Sequence, residues 1–169
     1  MFRKVMLLVI AMLMLSSASY AAIEQTGLME KTEVQGAFAY LDVADISATL
    51  LALRAGKFVT PNLEVTLGFM WGSIEDLDIL GVAPEVAYHF ISENTTNIVP
   101  YVGVGWWYFD ISNGGSFDDN GFDFFAGAKF FMDGDYNTSN HAVFAEYRYM
   151  NDVVDENVSV LMVGITNFF

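Results

Sequence analysis

The chain has 169 residues, 54% hydrophobic and 15% aromatic, with a net charge of −14 from 7 basic and 21 acidic residues. So acidic a chain, with no clustered Lys or Arg, repels phosphate backbones and excludes nucleic acid as a partner, while its 15 Phe, 8 Tyr and 3 Trp set it apart from acidic disordered chains. Cysteine is absent, which excludes disulfides, thiol catalysis and a lipid-modified N-terminal cysteine.

Residues 1–21 read as a cleavable signal peptide. Arg3 and Lys4 give a positive start, Val5 to Leu15 an apolar stretch, and Ser19-Tyr20-Ala21 the small residues of a cleavage site after Ala21. The apolar stretch is too short for a membrane helix, which needs about 20 residues. Removing Arg3 and Lys4 leaves 5 basic against 21 acidic residues, a mature charge of −16. Residues 22–169 then form one domain, with Ala22 to Thr32 a short mobile lead-in.

From there the chain resolves into eight runs of alternating hydrophobicity, roughly 33–42, 46–59, 62–73, 79–91, 98–110, 121–132, 141–151 and 158–169. Turn-forming residues separate them: Thr60-Pro61-Asn62 as a tight turn, Ser112-Asn113-Gly114-Gly115 and Asp133-Gly134-Asp135 as longer ones. Short connections favour antiparallel neighbours in up-and-down order. In the third run Leu63, Val65, Leu67, Phe69 and Trp71 share a face; in the sixth Phe122, Phe124, Ala126, Ala128 and Phe130 do; in the seventh Val143, Ala145, Tyr147 and Tyr149 do. The opposite faces carry Gly, Ala, Thr and single charges of both signs. A soluble sandwich would put an outer face rich in Lys and Glu there, whereas a narrow barrel lumen needs small residues and a few pairable charges. The predicted fold is all-β, an eight-stranded antiparallel up-and-down transmembrane β-barrel.

The lumen of such a barrel is just wide enough to be filled by side chains. Gln35, Arg54, Glu64, Glu85, His89, Asp123, Lys129, Glu146 and Arg148 are the polar candidates to fill it. Three cations (Arg54, Lys129, Arg148) against four anions (Glu64, Glu85, Asp123, Glu146) suit one structural ion-pair network, because an unpaired charge away from water is costly. Tyr88 and Phe90, and Trp106, Trp107, Tyr108 and Phe109, are expected at the membrane borders, where aromatic rings with polar tips are accommodated. The last run places Leu161, Val163, Ile165 and Phe169 on one face and Met162, Gly164 and Thr166 on the other. A strand ending the chain on an aromatic residue suits a barrel whose last strand closes onto its first, around Val34 to Tyr40.

An even strand count puts both termini in the periplasm and the turns after runs one, three, five and seven outside. Those turns carry Asp42, Asp45, Glu75, Asp76, Asp78, Asp110, Asp118, Asp119, Asp152, Asp155 and Glu156, with no Lys or Arg. This acidity speaks for solubility and repulsion, and for divalent cations bridging to lipopolysaccharide phosphates. Asp118-Asp119-Asn120-Gly121 has hard oxygen ligands without a complete calcium-loop pattern. Catalytic signals are thin. His89 and Ser92 point to opposite faces of an extended chain, His141 sits at a turn, and no nucleophile elbow, metal-binding His pair or phosphate loop occurs. The reading is therefore non-catalytic, with no cofactor.

Pro100-Tyr101-Val102-Gly103-Val104-Gly105-Trp106, Gly127-Ala128-Lys129-Phe130-Phe131 and Ala145-Glu146-Tyr147-Arg148-Tyr149, with the terminal Phe, resemble the small outer-membrane β-barrels of the OmpA, OmpX and opacity-protein type. That resemblance implies an outer-membrane location, contact with outer-membrane lipid and lipopolysaccharide, and a monomer. It also implies that Leu161, Val163, Ile165 and Phe169 form the signal read by the barrel-insertion machinery, with periplasmic chaperones delivering the chain. Asn167 departs from the apolar or aromatic residue usual at its place. Two alternatives stay open: a narrow transporter, porin or outer-membrane enzyme using the interior charges, and a soluble periplasmic ligand-binding barrel, whose interior would be more uniformly apolar.

Overall fold

The computed structural model describes residues 28, 31–43, 46–74, 77–91, 97–112, 116–132, 134, 136, 138–153 and 156–169. Eight strands, β1 (Thr32–Val43), β2 (Ile46–Phe58), β3 (Leu63–Ile74), β4 (Leu77–His89), β5 (Ile98–Ser112), β6 (Ser116–Phe131), β7 (His141–Val153) and β8 (Glu156–Phe168), follow one another around a closed antiparallel barrel. No helix among the described residues is long and apolar enough to cross a membrane; the strands form the wall. The predicted signal peptide lies outside the described residues. The predicted mobile lead-in needs correcting at Leu28, which is buried against Phe58, Val99, Phe131 and Phe168 at the termini mouth, where β1 begins and β8 ends.

Seven of the eight expected runs match the strands to within two residues. The sixth strand starts at Ser116, five residues before the expected 121, because it pairs with β5 all the way to Ser112↔Ser116. Asp110, Asp118 and Asp119, expected in a loop, are therefore strand residues, as are Asp42, Asp78 and Asp152; Glu156 opens β8. Asp45, Glu75, Asp76 and Asp155 lie outside the described residues. Asp118-Asp119-Asn120-Gly121, an extended strand, is not the loop that a calcium cage requires.

Local chemistry sets the turns at the termini mouth. The Thr60 hydroxyl accepts from the Leu63 amide at 3.0 Å, and Asn62 Nδ2 donates to the His89 carbonyl at 2.7 Å, tying the β2–β3 turn to the end of β4. After β6, Gly134 takes φ +79°, a backbone conformation in which a Cβ is strained.

The registers fix the geometry of the wall. Stepping across pairs from Phe38 through Leu51, Trp71 and Leu80 reaches Asp110 on β5. Stepping the other way through Val163, Ala145 and Ala128 reaches Pro100, ten residues lower on the same strand. A shear of ten over eight strands tilts them by about 40° from the barrel axis.

The two faces are inverted relative to a soluble protein. Leu53, Trp71 and Leu161 are each 61% exposed, while Arg148, Glu85 and Lys129 are at most 1% exposed. A continuous apolar wall around a charged interior is stable in hydrocarbon, not in water, so the protein is a transmembrane β-barrel. The predicted outward faces of β3, β6, β7 and β8 all look outward. One aromatic prediction is corrected by the same period of two. Trp106 and Tyr108 face out, but Trp107 and Phe109 are buried inside, stacked at 5.5 Å.

Candidate functional site

Parity along each strand delivers the polar residues into one interior. Every strand supplies at least one: Glu33 on β1, Arg54 on β2, Glu64 on β3, Glu85 and His89 on β4, Tyr101 on β5, Asp123 and Lys129 on β6, Glu146 and Arg148 on β7, and Thr166 on β8. All are buried.

They form two layers. In the mid-wall layer Arg148 meets Glu85 at 2.6 Å, Asp123 at 2.5 Å and Glu146 at 3.0 Å. Arg54 meets Glu146 at 2.6 Å and Glu85 at 3.6 Å. The Tyr101 hydroxyl donates to Glu146 at 2.9 Å, and Thr66 donates to Glu85 at 3.2 Å. Both guanidinium groups lie over the Phe125 ring, and Arg148 also lies over Trp107 at 5.4 Å, so their apolar surroundings are aromatic faces that favour a cation. Nearer the termini mouth, Lys129 bridges Glu33 at 2.5 Å and Glu64 at 3.3 Å, and His89 Nε2 contacts Glu64 at 2.9 Å. Thr166 donates to Glu33 at 2.8 Å, and Gln35 donates to the same carboxylate.

The structure thus places all seven predicted network residues, Arg54, Glu64, Glu85, Asp123, Lys129, Glu146 and Arg148, in these layers. It adds Glu33, a fifth carboxylate that the sequence reading missed although it shares the face of Gln35 two residues on. Three cations meet five carboxylates rather than four. Tyr101, Thr66 and Thr166, also missed, supply neutral hydroxyl donors to Glu146, Glu85 and Glu33. Acceptor-only groups away from water need such donors.

Apolar layers close the network at both ends. Towards the termini Phe58, Val99, Phe131, Phe168 and Leu28 pack together. Towards the other, distal mouth lies a larger cluster including Leu50, Met70, Ile79, Phe109, Ile111 and Met162. The acids and bases between these two layers are buried. Among the described residues no group of three or more His, Asp or Glu side chains is arranged to hold a metal ion. His141, on the outer wall, contacts Asn167 through Nδ1 at 2.7 Å, which gives that atypical residue a partner. The predicted insertion residues Leu161, Val163, Ile165 and Phe169 line the outer face of β8 and the chain end.

No protein-family model and no curated protein matches the sequence. Among solved structures, the chain resembles the N-terminal β-barrel domain of Pseudomonas aeruginosa OprF, with a TM-score of 0.68 at 19% identity over 83% of this chain and 98% of that one. The fold is that of the small outer-membrane barrels. Neisserial surface protein A is similar at a TM-score of 0.59 and 17% identity, covering 82% of this chain and 95% of that chain. A de novo designed transmembrane β-barrel is similar at 0.55 and 19%, covering 87% of this chain and all of that one. A designed barrel matching about as well as natural ones underlines that what is shared is architecture, on which function must be argued separately.

Proposed function

We propose that the protein is a small integral outer-membrane barrel with a structural or surface-interacting role and no catalysis. The observation that supports this reading is the interior: every strand contributes to a charge network sealed by apolar layers at both ends, inside a wall apolar all round. Such an interior braces a barrel and leaves neither a water path for a porin nor a reachable acid–base pair for an enzyme. Its charges also disfavour a soluble ligand-binding barrel, which needs an apolar cavity.

With the start of β1 and the end of β8 at one mouth, that mouth faces the periplasm and the acidic distal mouth faces outwards. The distal surface meets lipopolysaccharide, whose phosphates the acids repel unless divalent cations intervene. The β8 face of Leu161, Val163 and Ile165, with Phe169, serves the insertion machinery after chaperone delivery, and the folded protein is a monomer.

Fractionation and gel mobility test the reading together. The protein is expected in the outer-membrane fraction, and unboiled samples are expected to migrate apart from boiled ones, because the closed ladder survives detergent. A soluble periplasmic protein with a single unshifted band would overturn the reading. Stepwise conductance across planar bilayers would instead select the transporter.

A further inference from the structure

The seam that closes the barrel is zipped along only half its length. Thr32 and Phe169 exchange backbone hydrogen bonds at its start, the ladder runs from Glu33↔Phe168 to Phe38↔Val163, and among the described residues no pair follows towards the distal mouth. Both strands continue towards the distal mouth, β1 to Val43 and β8 back to Glu156. There each is still held by its hairpin partner, β1 by β2 up to Val43↔Ile46 and β8 by β7 up to Val153↔Glu156. The gap is therefore confined to the facing edges, Ala39–Val43 and Val158–Met162. Sharing the ten-residue shear evenly around the wall puts Phe38 level with Gly105, beside Glu85 and Asp123. The ladder stops at the charged layer, and among the described side chains the open half faces the apolar cluster above it. Five residues at this tilt span about 12 Å of wall.

We propose that the distal half of the β1–β8 seam is a lateral opening through which one acyl chain of a membrane lipid enters the apolar upper lumen. The inference goes beyond a bracing or surface role. Over most of the wall, parting two strands in hydrocarbon strips ladder hydrogen bonds that nothing there replaces. The β6–β7 ladder also stops short, at Asp123↔Met150, but there β7 runs only three residues further, to Val153. Here no ladder bond has to break. Among the described side chains, Ala39, Val160 and Met162 flank the seam from inside, backed by Leu50 and Met70, and all five are buried. Ala39 is small, and the two methionines are unbranched and readily rearranged. From outside, exposed Phe38, Leu161 and Val163 continue the lipid-facing wall up to the same edges. An alkyl chain thus passes from one apolar surroundings to another. Arg54 and Arg148, locked in their ion pairs, form the floor on which it stops. The chain lodges; it does not cross.

Tryptophan reports on this directly, because the three residues divide cleanly: Trp71 and Trp106 sit on the outer wall and Trp107 inside the upper lumen. In the Trp71→Phe/Trp106→Phe protein, Trp107 alone emits under selective excitation. In vesicles whose lipids carry brominated acyl chains, its emission is expected to fall well below that in unbrominated vesicles. Ala39 and Met162 would be opposite partners if the register continued. With no native cysteine to interfere, Ala39→Cys/Met162→Cys can be folded reduced, checked by gel mobility and then oxidised. Closing this staple is expected to restore most of the lost emission, and reduction to abolish it again. A thiol-free variant, Ala39→Phe, fills the inner side of the seam and is expected to protect Trp107 likewise. Equal Trp107 emission in both vesicle types, or quenching that staple and filler leave unchanged, would overturn the proposal.

Discussion

Arg148 gathers three carboxylates, Glu85, Asp123 and Glu146, on a single guanidinium whose face rests on Trp107 and Phe125. Removing it leaves those carboxylates clustered with only Arg54 nearby. The expected cost of Arg148→Met is about 3–5 kcal/mol, as for breaking a buried pair from one side, measured as a lowered urea midpoint in vesicles. Period two found this residue, because Arg148 and Glu146 share a face opposite Tyr147 and Tyr149. The same rule, applied one step further, would have found Glu33 from Gln35 and sent Trp107 and Phe109 inside. What parity could not supply was which acid meets which base. Arg54 and Glu146 are 92 residues apart in the chain and touch because the wall curves round on itself.

Within the strands, the two faces set opposite tolerances. Val163 on β8 is 57% exposed and lipid-facing, so Val163→Arg is expected to destabilise the barrel by about 2–4 kcal/mol if it lies near the bilayer midplane, read from the same unfolding curve. Gly164, next to it, faces the lumen at the zipped half of the seam. A Cβ there would overlap the Gly36 carbonyl oxygen on β1 and the Phe144 ring. Gly164→Ala is therefore expected to reduce the folded fraction on gel mobility, whereas Gly134→Ala, with open space around it, should leave closure intact and carry only the strain of its positive φ. Strand number and order were legible from alternation and turn residues. The early start of β6 was not, because Ser116 to Asn120 read as polar loop; pairing along β5 draws them into the ladder.

For the molecule as a whole, assembly into the membrane is a property of the closed wall and of the strand that completes it. Phe169→Ser removes the outermost ring of β8's lipid face, and outer-membrane levels are expected to drop by immunoblot; unchanged levels would remove Phe169 from the insertion signal. The amino-acid sequence by itself determined that this is an eight-stranded barrel turned inside out, since alternation depends only on which residue follows which. It also pointed to the charges that go inside, all but Glu33. The tertiary structure alone decided how those charges and the hydroxyls beside them share partners across the strands, that apolar clusters lie on both sides of them, and that the closing seam is paired over about half its length. Those are consequences of register and shear, which are set when distant strands meet around the ring and which no local pattern encodes.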